Sequence, residues 1–109
     1  MTREQRAYAS NVFAALANPA RLHILETVAG GPASVNEIAG ATGLKQSLTS
    51  QHLATLTSAG VLVWRPNGRQ RIYSLRELRI GRILELAEEF FEVHVEALRE
   101  LLATTDRKG

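Results

Sequence analysis

From about Leu75 to Thr104 the chain offers a single long helical pattern whose apolar surface is wider than so short a molecule can cover. Leu84, Ala87, Phe91, His94, Leu98 and Leu101 recur at a 3.5-residue rhythm, and Ile83, Leu86, Phe90, Val93 and Ala97 line an adjacent face. A chain of 109 residues has room for one small domain and is marginal for burying a core alone. A second copy of the same helix is the economical cover, so the pattern predicts pairing between two subunits. A hydrophobic share of 45% excludes disorder, and no apolar run is long enough for a membrane span. The opening Met1-Thr2-Arg3-Glu4-Gln5-Arg6 leads into a mixed segment instead of a signal-peptide core, which predicts a cytoplasmic protein. The absence of cysteine excludes disulfides, thiolate metal sites, iron–sulfur clusters and cysteine nucleophiles.

Upstream of the long helix, breakers cut the chain into short elements. A first amphipathic segment over about 4–17 carries Tyr8, Val12, Ala15 and Leu16 at helical spacing and ends at Asn18-Pro19. Asn18 is placed to cap a second helix with Pro19 at its first position, Leu22, Ile24, Leu25 and Val28 on its apolar side and Gly30-Gly31-Pro32 as its stop. Ser34 and Glu37 have the spacing of a capping box and open a short third helix to about Thr42, with Gly43 suited to a left-handed turn. A fourth helix follows from about Gln46 to Ala59, burying Thr49, Leu53 and Leu56 and stopping at Gly60. Two short helices joined by a tight glycine turn outline a helix-turn-helix over 34–59. Val61 to Arg65 and Arg69 to Ser74 then read as two strands around Pro66-Asn67-Gly68, a hairpin with Pro66 at its end or on its unpaired side. Directly after a helix-turn-helix, the hairpin over 61–74 reads as a wing. The fold class expected is mainly α with a β-hairpin wing, one winged helix-turn-helix domain over 1–109 whose last helix spans 75–104 and whose tail, Thr105 to Gly109, frays.

Charge is divided along the chain. Residues 1–75 hold seven basic side chains (Arg3, Arg6, Arg21, Lys45, Arg65, Arg69, Arg71) against Glu4, Glu26 and Glu37, whereas residues 83–103 hold Arg99 against six glutamates. A basic body suggests a polyanionic partner, and two ordinary solvated faces are the plainer account. The fourth helix concentrates the functional argument. Its opening, Lys45, Gln46, Ser47, Leu48, Thr49, Ser50, Gln51 and His52, has no acid, and a helix N-terminus offers free N–H groups to phosphate. Gln46 and Gln51 suit adenine edges, Ser47 and Ser50 suit base or phosphate, and Leu48 suits a thymine methyl or partial burial against the third helix. Arg65, Arg69 and Arg71 flank a narrow tip suited to a minor groove.

Leu16-Ala17-Asn18-Pro19-Ala20-Arg21-Leu22-His23-Ile24-Leu25 resembles the opening of ArsR/SmtB-type winged-helix repressors. The resemblance continues through Val35-Asn36-Glu37-Ile38-Ala39, Gly43-Leu44-Lys45-Gln46-Ser47, Ser50-Gln51-His52-Leu53, Ala59-Gly60-Val61-Leu62 and Gly68-Arg69 to Tyr73-Ser74-Leu75, covering nearly all of 12–75. It implies a homodimer joined by the first and last helices, with Tyr8, Val12, Leu84, Ala87, Phe91, His94, Leu98 and Leu101 at the contact. It further implies two recognition helices on successive major grooves of a near-palindromic operator in double-stranded DNA, with Gln46, Ser47, Ser50 and His52 on or near the DNA. Lys45 stands where the family usually has a capping serine, which weakens the cap and adds a cation facing phosphate.

Many members of that family sense metals, and the departures here bear on sensing. The third-helix site needs a pair of cysteines, and this chain has Val35-Asn36-Glu37. A second family site crosses the paired last helices; Glu92 and His94 imitate its first half, as ligands for nickel or zinc, but the second half falls on Thr105 and Lys108. An interface histidine is the alternative for His94, and a solvated edge for Glu88, Glu92 and Glu96. His52 reads as a DNA-helix residue or a partly buried one, and His23 as solvent-facing or locally paired. No cofactor is required, and no spacing pairs a nucleophile with a base, so an enzyme is not expected. The readings that remain are a dimeric DNA-binding regulator, a nickel- or zinc-responsive sensor of the same fold, and a protein-interaction module.

Overall fold

Side chains that satisfy the open ends of helices set where most of the elements begin. A computed structural model describes the backbone of residues 1–108 and the side chains of residues 1–104; the expected fraying of Thr105 to Gly109 and the metal positions at Thr105 and Lys108 lie outside the described side chains. Helix α1 (Arg3–Leu16) starts with a capping box, Thr2 Oγ1 accepting from Gln5 N and Gln5 Oε1 accepting from Thr2 N. Helix α2 (Pro19–Ala29) starts at Asn18, whose Oδ1 accepts from Arg21 N at 3.1 Å. Ser34 and Glu37 form the expected capping box of α3 (Val35–Thr42), which ends at Gly43 with φ +75°. Helix α4 (Gln46–Ser58) begins at Lys45 with no side-chain cap.

The sheet departs from expectation in three ways. A two-residue strand β1 (Ala33–Ser34) precedes α3, so Ser34 both joins the sheet and caps the helix. The hairpin is shifted by one residue and its turn is shorter: β2 (Leu62–Asn67) and β3 (Gln70–Leu75) pair antiparallel from Leu62↔Leu75 to Asn67↔Gln70. The two-residue turn is therefore Gly68-Arg69, and the positive φ of +64° falls on Gly68, with Asn67 inside the strand. Pro66 also lies inside β2, which the sheet order β1-β3-β2 makes an edge strand where a missing N–H is tolerated.

The long helix, α5 (Arg79–Lys108), starts four residues later than the periodicity suggests. Leu75 is held in β3 opposite Leu62, and Arg76 N donates to Val61 O at 3.0 Å, so the chain stays tied to the sheet. The Glu77 carboxylate then accepts from Arg79 N and pairs with its guanidinium, opening α5.

Leu16, Ile24, Leu25, Val28, Ile38, Leu53, Leu56, Val61, Leu62 and Tyr73 form one continuous core among the helices and hairpin. Val12 and Leu84, expected at a subunit contact, are partly buried and pack against this core, so α1 and α5 each lend some apolar surface to their own chain. What remains uncovered is apolar side-chain surface at Tyr8 and Phe13 on α1 and at Leu86, Phe90, Phe91 and Val93 on α5. Ala87 is exposed as well, and Leu98 is half-buried. No described helix is long and apolar enough to cross a membrane.

Gly60, after α4, has φ +79°, and a Cβ there would lie 2.5 Å from Tyr8 Oη. Gly60→Ala is therefore expected to destabilise the fold by about 1–3 kcal/mol. Gly40→Ala, inside α3 with nothing within 4 Å of the new methyl, should gain up to about 1 kcal/mol. Urea unfolding at one fixed chain concentration checks both; equal shifts would refute the account of Gly60. The Ser34 backbone N–H, and secondarily its hydroxyl, hold the Glu37 carboxyl below its ordinary value of 4.5. A depressed carboxyl stabilises the fold fully above its unfolded value and loses that contribution as pH falls through the folded one. Glu37→Gln, which keeps an acceptor oxygen, should flatten the stability loss on the acid side of 4.5 in matched denaturation curves.

Candidate nucleic-acid interface

Burial of Thr49, Leu53 and Leu56 turns one ridge of α4 inward and leaves the opposite side in solvent. The Thr49 hydroxyl, at the inner edge, donates to Lys45 O at 2.9 Å, so this buried oxygen is satisfied. Lys45, Gln46, Ser47, Ser50 and Gln51 are exposed together on the first two turns. The first N–H groups of α4 have no intrahelical acceptor and no capping side chain, and the residue at the cap, Lys45, is a cation. Leu48 is 39% exposed and presents apolar surface beside Ser47 and Gln51. His52 differs: it is half-buried on the flank of α4, with Nδ1 3.5 Å from Arg21 Nη1.

Pleating divides the three hairpin arginines. Trp64 lies opposite Tyr73 and Pro66 opposite Arg71, so Trp64 and Arg71 are diagonal neighbours on one face, and the Arg71 guanidinium sits 4.0 Å above the Trp64 ring. Arg65 pairs with Ile72 and projects from the other face. Arg69 occupies the turn. Because β1 pairs only with Tyr73 and Ile72, β3 runs on past it, and a cleft of about 300 Å³ opens there. Ser34, Val35, Asn36, Gln46, Arg69, Gln70 and Arg71 line it, joining the start of α4 to the wing. Ser34, Val35, Asn36 and Gln70 are the additions to the residues expected from sequence, and of these Asn36 and Gln70 are the exposed polar ones. Gln70 was visible as a polar residue between two arginines, whereas Asn36 enters only through the pairing of β1 with β3.

The surface carries one sign of charge. No acidic residue occurs from Ile38 to Arg76, a stretch that includes α4 and the whole hairpin together with Lys45, Arg65, Arg69, Arg71 and Arg76. The nearest carboxylate upstream, Glu37, is engaged by the Ser34 backbone N–H. Such a surface suits a backbone of phosphates and, through its amides and hydroxyls, the edges of bases.

Metal ligation finds less support. Among the described residues no group of three or more His, Asp or Glu side chains converges on a point. His94 Nδ1 lies 2.9 Å from Phe90 O and its ring stacks on Phe90, so Glu92 and His94 supply one nitrogen and one carboxylate per chain. With Val35-Asn36-Glu37 in place of cysteines, the residues present do not fit either family metal site. His23 is exposed, and its role in the fold is a backbone carbonyl accepting from Thr27 Oγ1.

The resemblance to known proteins follows the same elements. Residues 18–62 match the family model described as bacterial regulatory protein, arsR family. The chain is 36% identical over 81 residues to the HTH-type transcriptional regulator NmtR of Mycobacterium tuberculosis, covering 74% of this chain and 68% of that one. It is 36% identical over 76 residues to the biofilm growth-associated repressor of Agrobacterium fabrum, covering 70% and 65%. In three dimensions it is similar to the homodimeric winged helix-turn-helix DNA-binding domain of Mb0332 from Mycobacterium bovis, with TM-score 0.78, 30% identity and 89% and 93% of the two chains covered. A helix-turn-helix flanked by a basic hairpin, with this sequence similarity across it, shows that the chain belongs to the ArsR family of bacterial regulatory proteins.

Proposed function

We propose that this regulator is a transcriptional repressor that binds a near-palindromic site in double-stranded DNA as a homodimer. The observation that carries the reading is the acid-free surface joining the polar side of α4 to the wing. In this arrangement α4 enters the major groove, where Gln46 and Gln51 address adenine edges and Ser47 and Ser50 address bases or phosphates. Lys45, the free N–H groups beside it, Arg69 and Arg71 hold the phosphate backbone, and the turn at Gly68-Arg69 reaches toward the adjoining minor groove. Arg65, on the opposite face of the hairpin, contributes to the field around the wing.

The dimer follows from the apolar surface left on α1 and α5, which is too extensive for a solvated face of so small a chain. The similar Mb0332 domain is itself a homodimer, and a similar protein of Agrobacterium is named a repressor. Phe91, His94, Leu98 and Leu101, with Tyr8 and Ala87, are the residues proposed at the contact. A two-fold dimer presents two recognition helices about 34 Å apart, one helical turn of DNA, which is why the preferred site should be an inverted repeat. A protein-interaction module would use the same exposed helices but would have no need of a wing stripped of acids.

The decisive experiment enriches duplexes from a random-sequence library on the full chain and measures their affinity at several salt concentrations. Enrichment of an inverted repeat by a dimer of this chain is expected. Arg69→Ala should lower the salt slope by about one for the phosphate it releases, weakening all duplexes alike. Gln46→Ala should cost about 1–3 kcal/mol and relax preference at one base position. Failure to enrich any duplex at low salt would return the chain to the interaction-module reading. Nickel or zinc added to the selected complex should leave affinity unchanged; a shift of tenfold or more would instead make Glu92 and His94 part of a sensor.

A further inference from the structure

Arg21 belongs to α2, yet its side chain meets two other helices. Its backbone N–H is held by Asn18 Oδ1 at 3.1 Å, its Nε donates to Ala15 O in the last turn of α1 at 2.6 Å, and its Nη1 reaches His52 Nδ1 on α4 at 3.5 Å. The guanidinium is therefore anchored at its base and at Nε before it touches the histidine. A guanidinium has five donors and no acceptor, so a hydrogen bond across this contact needs the unprotonated nitrogen of the His52 ring. That arrangement leaves the ring proton to Nε2. His94 has the opposite arrangement: a carbonyl, Phe90 O, faces its Nδ1 at 2.9 Å and can only accept, so Nδ1 carries the proton there.

We propose that Arg21 is a positioning residue for DNA recognition, fixing His52 as a donor-only Nε2–H contact and tying the recognition helix to the end of α1. The inference rests on the DNA-binding reading and deepens it at one residue. His52 would then meet hydrogen-bond acceptors on DNA, a phosphate oxygen or the N7 and O6 of a purine, and would not accept from an exocyclic amine. Through Ala15 O the same guanidinium joins α4 to α1, the helix that carries Tyr8 and Phe13 on the uncovered apolar face. The seating of the recognition helix and the seating of the dimer helix thus share one side chain.

The test has a spectroscopic arm and a binding arm. In the full-length protein labelled with ¹⁵N and held at about pH 8, above the ordinary histidine range, ring-nitrogen resonances separate protonated from unprotonated nitrogens. His52 is expected to carry its proton on Nε2 and His94 on Nδ1, each serving as the other's control. Arg21→Gln should move His52 toward a mixture and leave His94 unchanged. A wild-type His52 protonated on Nδ1 overturns the proposal without reference to DNA or to the stability of a variant, and so do ring signals indifferent to Arg21→Gln in a variant whose His94 signals stay native.

In the binding arm, measured on duplexes selected by the wild-type chain, Arg21→Gln and His52→Asn should each weaken affinity about tenfold, and the double variant should be no weaker than either. Additive losses, or unchanged binding by His52→Asn, overturn the contact. A loss uniform across sequences identifies a phosphate oxygen as the acceptor, and a loss confined to one base position identifies a purine edge. If the wild-type chain binds no duplex while the ring signals are as expected, the DNA reading fails and takes the contact with it, but Arg21 still sets the tautomer.

Discussion

Everything at the reading surface depends on how the apolar ridge of α4 is seated. Leu53 and Leu56 are completely buried against α2, α3 and the hairpin, and each such side chain contributes about 1.5–3 kcal/mol through burial. An eight-residue helix such as α3 is not stable alone, so the helix-turn-helix exists only because α2 below it and the sheet beside it complete the core. The same seating decides exposure. With Thr49, Leu53 and Leu56 inward, Ser47 and Gln51 are carried to the far side by helical geometry, without any further specification. The polar surface is a consequence of where the leucines go.

Much of the fold was legible because it is written in local chemistry. Asn18-Pro19, Ser34 with Glu37, Gly43 and Gly60 are helix ends whose signals lie within four residues of the event they control. The exposed start of α4 was legible for the same reason, as periodicity alone separates Thr49 and Leu53 from Ser47 and Gln51. Missed features are those decided at a distance. β1 is two residues long and exists because Tyr73 and Ile72 come alongside it, and α5 starts at Arg79 because Leu75 is claimed by Leu62. Asn36 joins the wing cleft, and Arg21 reaches His52 across 31 positions, through topology that no short window of sequence contains. Val12 and Leu84 illustrate the converse: their spacing announces an apolar face correctly but cannot say whether the cover is the same chain or another.

Helix ends also separate structural from functional work. Thr2, Asn18 and Ser34 close the starts of α1, α2 and α3 with side-chain hydrogen bonds, and each such cap stabilises its helix by about 1 kcal/mol. Lys45 does nothing of the kind for α4. The start of the recognition helix consequently keeps both its unpaired N–H groups and its positive end of the helix dipole available to an outside anion, with a cation beside them. Stability forgone at this end is supplied by the leucine ridge, whose burial is large compared with one missing cap.

The glutamates of α5 fit the same division. Their ion pairs, Arg82 with Glu85 and Glu89 and Arg99 with Glu96, lie among exposed side chains, where such pairs add little to stability. Their consequence is in the field instead. A polyanion approaching the molecule meets a negative helix on the dimer side and an acid-free surface on the reading side, so attraction and repulsion together orient it before contact. The apolar stripe that prescribes pairing and the acidic residues interleaved with it are therefore complementary devices on one helix. In the proposed dimer the first brings two copies together, and the second keeps the paired helices from competing with α4 and the wing for phosphate.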